Sequence, residues 1–251
     1  RAGDLLLQQV KALTKEGNFD EAIRIVNGYR GRYAGELEGF RRELRRRLLK
    51  EQVQWRAQQQ RTADALQEHR QKSEDALTMA ILSDDLPLAM QMVTDMTTDP
   101  AFGSSVAALE EARGVLAEAS EIDRRIMNSF AAQRGETIDV QLTTGAKQLT
   151  IGAMRGESVE CRQMLSVGRG AMSTILITIS DLSTREQLSR MGADELHEVA
   201  LAKGIMAFQS RAYSHAEKYF AMTHPLLSEQ LLRRLQGDTG DSAPAVSDVE
   251  E

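Results

Sequence analysis

Gly135-Glu136-Thr137-Ile138-Asp139-Val140-Gln141-Leu142 is the stretch at which the hydrophobic period of this chain changes. Before it, Val106, Leu109, Leu116, Ala119, Ile122, Ile126 and Phe130 recur at three- and four-residue steps, the mark of one helix face. One long helix from Ser104 or Ser105 to about Arg134 is predicted. From Ile138 onward the period is 2. Ile138, Val140 and Leu142 alternate with polar neighbours, as do Leu149 and Ile151, then Val159 and Cys161, while Ile175, Ile177 and Ile179 alternate with Thr174, Leu176 and Thr178. Gly145-Ala146, Arg155-Gly156-Glu157 and the pair Gly168 and Gly170 turn the chain between these runs. A meander of four or five short strands follows, and so small a sheet must hide its apolar face. A small antiparallel barrel or sheet over residues 135–181 is the expectation.

Helices are expected on both sides of it. Leu5, Leu6, Val10 and Leu13 make one helical face, and Gly17-Asn18 ends it. Ala22, Ile23, Val26 and Tyr29 make the next, with Asp20 where a capping carboxylate would sit. Residues 36–83 read as one long polar helix carrying a thin stripe of Leu37, Phe40, Leu44, Leu48, Trp55, Thr62 and Leu66. So narrow a stripe suits one-sided packing or a coiled coil. Asp84-Asp85 opens a turn, Pro87 sits at the next helix start, and Asp99-Pro100 ends that helix. Ser183-Thr184-Arg185-Glu186 reads as a reciprocal capping box. The fold class is therefore α+β, mainly antiparallel helical hairpins: 1–134 helical, 135–181 the β region, 182–237 a C-terminal hairpin. Residues 238–251 form an acidic tail with too little apolar content to fold.

One pattern occurs three times. Gly17-Asn18-Phe19-Asp20-Glu21-Ala22, Ser83-Asp84-Asp85-Leu86-Pro87-Leu88-Ala89 and Ser210-Arg211-Ala212-Tyr213-Ser214-His215-Ala216 each end a helix, turn, and begin a second helix with a small Ala. Ala lets two helices approach closely, and Phe19, Leu86 or Tyr213 plugs the turn. With Gly204, Ala216 and Phe220 at the family's spacing, this resembles the tetratricopeptide repeat, without its helix-A Trp. The β region resembles the opening of an SH3-like or Sm-like barrel and lacks the Asp and Asn that Sm-type proteins use for RNA. Helical repeats flanking such a barrel look similar to C-terminal regions of some bacterial membrane-anchored kinases. That likeness implies an accessory region of a larger protein, in the bacterial cytoplasm or periplasm. No kinase motif is present.

Composition narrows the chemistry. The 251 residues carry a net charge of −6, 41% hydrophobic and 4% aromatic residues, 11 Met, 4 Pro and 1 Cys. The single Cys161 forms no internal disulfide and is expected as an inward-facing core residue. No apolar run is long enough to span a membrane. The chain starts at Arg1, and a fragment of a longer protein is expected. Walker, HExxH, CxxC and GxSxG patterns are absent. His197 and His215 with a carboxylate are the one set with metal-ligand potential, but His215 precedes the buried Ala216 and should face solvent. No metal or cofactor is expected.

The clearest nonstructural signal is basic. Ten Arg or Lys stand against four Glu between Arg30 and Arg61, densest at Arg41, Arg42, Arg45, Arg46, Arg47 and Lys50. On a helix these make a positive ridge for a polyanion or an acidic partner, or a solvated face laced with Glu. The favoured function is non-catalytic recognition of another protein, on a groove lined by residues such as Gln9, Arg24 and Lys203. Nucleic-acid binding through the ridge and a homo-oligomeric scaffold joined by the long helix are the alternatives.

Overall fold

A computed structural model describes residues 2–30, 34–164 and 172–240. The expected turn at Gly168 and Gly170 and residues 241–251 of the expected tail lie outside the described residues. The chain forms two compact units, residues 1–69 and 70–251. The division falls within one helix, α3 (Glu38–Leu82).

In the first unit α1 (Ala2–Lys15) and α2 (Phe19–Gly28) pack on the early part of α3. Leu6, Val10, Phe19, Ala22, Val26, Leu44 and Leu48 are its core. The α3 stripe is deep only at Leu44 and Leu48, while Phe40, Trp55 and Leu66 stay exposed. Asp20 does not cap α2. It lies inside the helix and accepts a 2.7 Å bond from Gln52 Nε2. Gly17 is favoured on two counts: φ is +77°, and a Cβ would lie 2.6 Å from Trp55 Cζ2.

In the second unit the end of α3 turns into α4 (Leu86–Thr98), followed by α5 (Val106–Ser120) and α6 (Ile122–Ser129). The predicted single helix over 104–134 is thus interrupted. A 3-10 segment, Pro100–Ser105, precedes α5, and Glu121 at φ −93°, ψ 1° separates α5 from α6. Four strands follow: β1 (Thr137–Leu142), β2 (Gly145–Arg155), β3 (Ser158–Met164) and β4 (Met172–Ile177). Helices α7 (Thr184–Arg190), α8 (His197–Gln209), α9 (Tyr213–Phe220) and α10 (Pro225–Gly240) complete the unit. The last helix runs three residues into the segment expected to be tail.

The three repeated sequences make one turn. Gly17, Asp84 and Arg211 all have positive φ, +77°, +62° and +59°. The residue after each donates its N–H five residues back: Asn18 to Leu13 O, Asp85 to Ala80 O and Ala212 to Ala207 O, at 2.8–2.9 Å. This is the helix-ending pattern in which a left-handed residue lets the chain recover orphan carbonyls. Ala22, Ala89 and Ala216 are each fully buried. Phe19 and Leu86 plug their turns, but Tyr213 remains exposed and only edges Phe208, rings 5.8 Å apart.

The four strands form an antiparallel sheet in the order β1-β2-β3-β4 that does not close. The expected barrel is unnecessary, because helices cover the apolar face. Val140, Leu149, Ile151, Val159, Cys161 and Ile177 pack on Ile122, Ile126, Met127 and Phe130 of α6 and its end, with Met191 and Val199. The register shifts between Ile151 and Met154, where Gly152 lies so near β3 that a Cβ would meet Glu160 O at 2.6 Å. A second core joins the end of α3, α4, α5, α8, α9 and α10. Helix α8 serves both cores, so Val199, Ala200, Leu201 and Ile205 are buried around its circumference.

Candidate functional site

A groove of about 460 Å³ opens in the second unit where the starts of α4 and α6, the end of α5, α7 and α8 converge. The repeat turn supplies Asp84, followed by Leu86 and Pro87. The α5–α6 break supplies Ser120, Ile122 and Asp123. Ile179, Gln187, Met191, Ile205, Met206 and Gln209 complete the wall. A second recess of about 550 Å³ shares Ser120, Asp123 and Ile179 and extends to Met154, Gly156 and Glu157 at the β2–β3 turn. Its Arg124 is paired to Glu121.

Asp84 and Asp123 are the chemically distinctive residues. Both side chains reach solvent, yet each is held above the ordinary carboxylate range, first by loss of hydration against the groove. The charge of Asp123 adds to the effect on Asp84, and that of Glu157 to the effect on Asp123. A hydrogen bond with Gln209 partly offsets the first. Neither aspartate has an ion pair among the described residues. The site is a trough of mixed polar and apolar lining with uncompensated negative charge at its rim, suited to an ammonium or guanidinium carried on a partly apolar segment.

The basic ridge is smaller than the sequence implies. Arg41 spends its guanidinium on the last carbonyls of α2, with Nε 2.8 Å from Val26 O and a second bond to Asn27 O. Arg42 pairs with Glu38 at 3.5 Å and Arg47 with Glu51 at 2.7 Å. Arg45, Arg46 and Lys50 remain exposed with no ion pair among the described residues. Two of the residues expected to line a groove are engaged within their own units. Arg24 is bound to Glu21, and Lys203 is buried with its ammonium on Asp194. Of the residues singled out in the repeat, Phe19, Ala22, Ala89, Ala216 and Phe220 are buried and Tyr213 is exposed.

His197 faces His224 rather than the exposed His215, ring centroids 6.3 Å apart. His224 is buried, its Nε2 3.2 Å from Glu111 Oε2 and its Nδ1 without a partner among the described residues. Among the described residues no three His, Cys, Asp or Glu side chains are grouped to hold a metal ion. No helix there is long and apolar enough to cross a membrane.

Cys161 is fully buried. Burial, with the charge of Glu160 beside it, pushes its thiol up to about 11 from 9.0. The native state therefore holds this proton where the unfolded chain releases it. Stability is intact below pH 9 and falls as pH rises from about 9 to about 11, by about 1.4 kcal/mol per pH unit over that window. Denaturant titrations across this range should show the loss in the native protein and not in Cys161→Ala. At neutral pH the folded thiol should ignore a thiol-specific reagent that labels it in denaturant.

No protein-family model, no curated protein and no solved structure matches the chain.

Proposed function

We propose that this chain is a non-catalytic protein-recognition module, the accessory region of a larger bacterial protein, whose helical hairpins are tetratricopeptide-like. The groove at Asp84 and Asp123 takes a basic, amphipathic segment of another protein. The observation that carries this reading is a groove with apolar side chains in its wall beside two carboxylates that lack a cation among the described residues. Ile179, Ile205 and Met206 supply an apolar seat, and Met adapts to varied side chains. A Lys or Arg between Asp84 and Asp123 restores the charge balance that desolvation upsets. The hairpin likeness rests on three turns of one geometry, and helical repeats of this kind present concave surfaces to extended partners.

Peptides carrying one Lys or Arg flanked by Leu or Met test the reading by fluorescence anisotropy, against acidic peptides and labelled oligonucleotides at physiological salt. The cationic peptides should bind, and Asp84→Asn with Asp123→Asn should weaken them at least about tenfold, a loss of about 1.4 kcal/mol. Oligonucleotide binding that survives physiological salt and ignores these substitutions would instead favour the ridge of Arg45, Arg46 and Lys50.

The same substitutions should stabilise the free protein. A carboxyl whose native value is raised costs stability once the pH exceeds its unfolded value, and the full cost is present above the native one. Each Asn variant should therefore gain stability at neutral pH, by under about 1 kcal/mol at these solvent-reaching positions. The gain should fade as the pH falls through the carboxylate range. A groove that lowers stability in order to hold charge is the signature of a binding surface.

A further inference from the structure

The two edges of the sheet are treated differently. The outer edge of β1 is covered by its own chain at its C-terminal end. Ser183 N donates to Gln141 O at 2.8 Å, Gln141 N donates to Glu186 Oε2 at 3.1 Å, and Thr143 N donates to Asp181 O at 2.8 Å. Leu142 and Leu182 make a further bridge. The outer edge of β4 pairs with no strand among the described residues. Edges left open in this way normally carry a Lys, a Pro or a bulge that blocks pairing. Met172-Ser173-Thr174-Ile175-Leu176-Ile177 has none of these, carries no charge, and is in regular register with β3.

We propose that β4 pairs antiparallel with β4 of a second copy of this chain, joining two four-stranded sheets across a two-fold axis. The side chains fit this occupant. On the solvent face Met164 lies opposite Met172, Arg162 opposite Thr174 and Glu160 opposite Leu176. Met164, Met172 and Leu176 are 68%, 54% and 57% exposed, large values for apolar residues in one sheet. A pairing centred on Thr174 sets Met172 against Leu176 of the second copy, so the apolar residues of both copies form one strip. It also sets Ser173 against Ile175 on the covered face, which keeps each side chain on its own side of the sheet. No like charges meet, because the strand has none. The same pairing through β1 would bring Asp139 near its own counterpart.

A two-fold contact made through the β4 edge of each chain is isologous, so it ends at two copies and does not propagate into a fibre. A six-residue strand pair is small beside stable interfaces of about 1,200–2,000 Å², so the dimer should dissociate on dilution.

Sedimentation of the whole chain from micromolar to submillimolar concentration tests this. The mass should rise from 27.8 kDa toward twice that value. Thr174→Glu should hold it at the lower value while leaving the melting temperature unchanged, because within the chain the new carboxylate sits opposite Arg162. Across the axis it would face its own copy. Hydrogen exchange on the unmutated protein gives an independent reading: β4 amides should slow as concentration rises. A mass of one chain throughout, or a dimer that survives Thr174→Glu in folded protein, overturns the proposal. So does exchange at β4 that is independent of concentration.

Discussion

Arg190→Met should cost about 3–5 kcal/mol of stability, enough to unfold much of the second unit at moderate temperature. Arg190 and Glu186 lie one turn apart on α7, 2.6 Å from Nε to Oε1, with side chains only 12% and 9% exposed. Such a pair is costly to desolvate, and it is tolerated here because most of its remaining groups are used. The Arg190 guanidinium also donates to Ser129 Oγ at 2.9 Å and Gln133 Oε1 at 3.0 Å, and stacks 3.7 Å from the centre of the Phe130 ring. Glu186 spends its second oxygen on the backbone of β1 at Gln141. The cluster thus ties α7 to the end of α6 and to the sheet edge. Methionine fills much of the volume but strands a carboxylate in the interior, and that uncompensated charge is the main penalty. Arg190→Met combined with Glu186→Gln should therefore lose less than Arg190→Met alone. Denaturant melts of the two singles and the double separate the pair from its packing. A double variant as unstable as the sum of the singles would mean that the stacking on Phe130, not the ion pair, holds the cluster.

That cluster also marks where sequence reading stops. Ser183 does accept from Glu186 N at 3.3 Å, as a capping box requires. The carboxylate of Glu186 does not return the bond. It reaches Arg190 and a strand more than forty residues earlier, a choice no local spacing encodes. What local chemistry controls was legible: the period change at Gly135, the strand alternation that buries Cys161, Pro87 at a helix start, and three turns ending in a buried Ala. What depends on distant partners was not. Asp84, Asp123 and Met206 share a groove without sharing a motif. The barrel was inferred from the sheet's need for cover, and α6, α7 and α8 supply that cover instead. His224 is the buried neighbour of His197 because α10 begins beside α8. Asp84 occupies the left-handed position that Gly17 fills in the first repeat and Arg211 in the third, a conformation that aspartate tolerates better than most residues with a Cβ.

Gly204→Ala should destabilise the protein by about 1–3 kcal/mol, against the usual sign for such a change. In the middle of a helix, Ala is ordinarily better than Gly by about 1 kcal/mol, since it restricts the unfolded chain and loses nothing in the folded one. Gly204 lies in the middle of α8, and its φ is ordinary for a helix. Its methyl would overlap Cδ1 and Cε1 of the Phe220 ring on α9. That ring is fully buried in the core shared with Leu201, Ile205 and Leu227, so it cannot swing aside without moving its neighbours. Phe220→Ala alone should cost about 3–5 kcal/mol through the cavity it leaves. In that background the same Gly204→Ala change has room, and its sign should reverse to a gain of up to about 1 kcal/mol. The reversal is the test, because a general effect of Ala on α8 would appear equally in both backgrounds. Thermal and urea melts of the four proteins measure it. If Gly204→Ala stabilises the protein with Phe220 in place, α8 and α9 do not approach as closely as the hairpin requires, and the ring does not set their spacing. If the sign reverses, the third turn is held by one ring seated on one missing side chain, which explains why its own aromatic, Tyr213, can remain exposed.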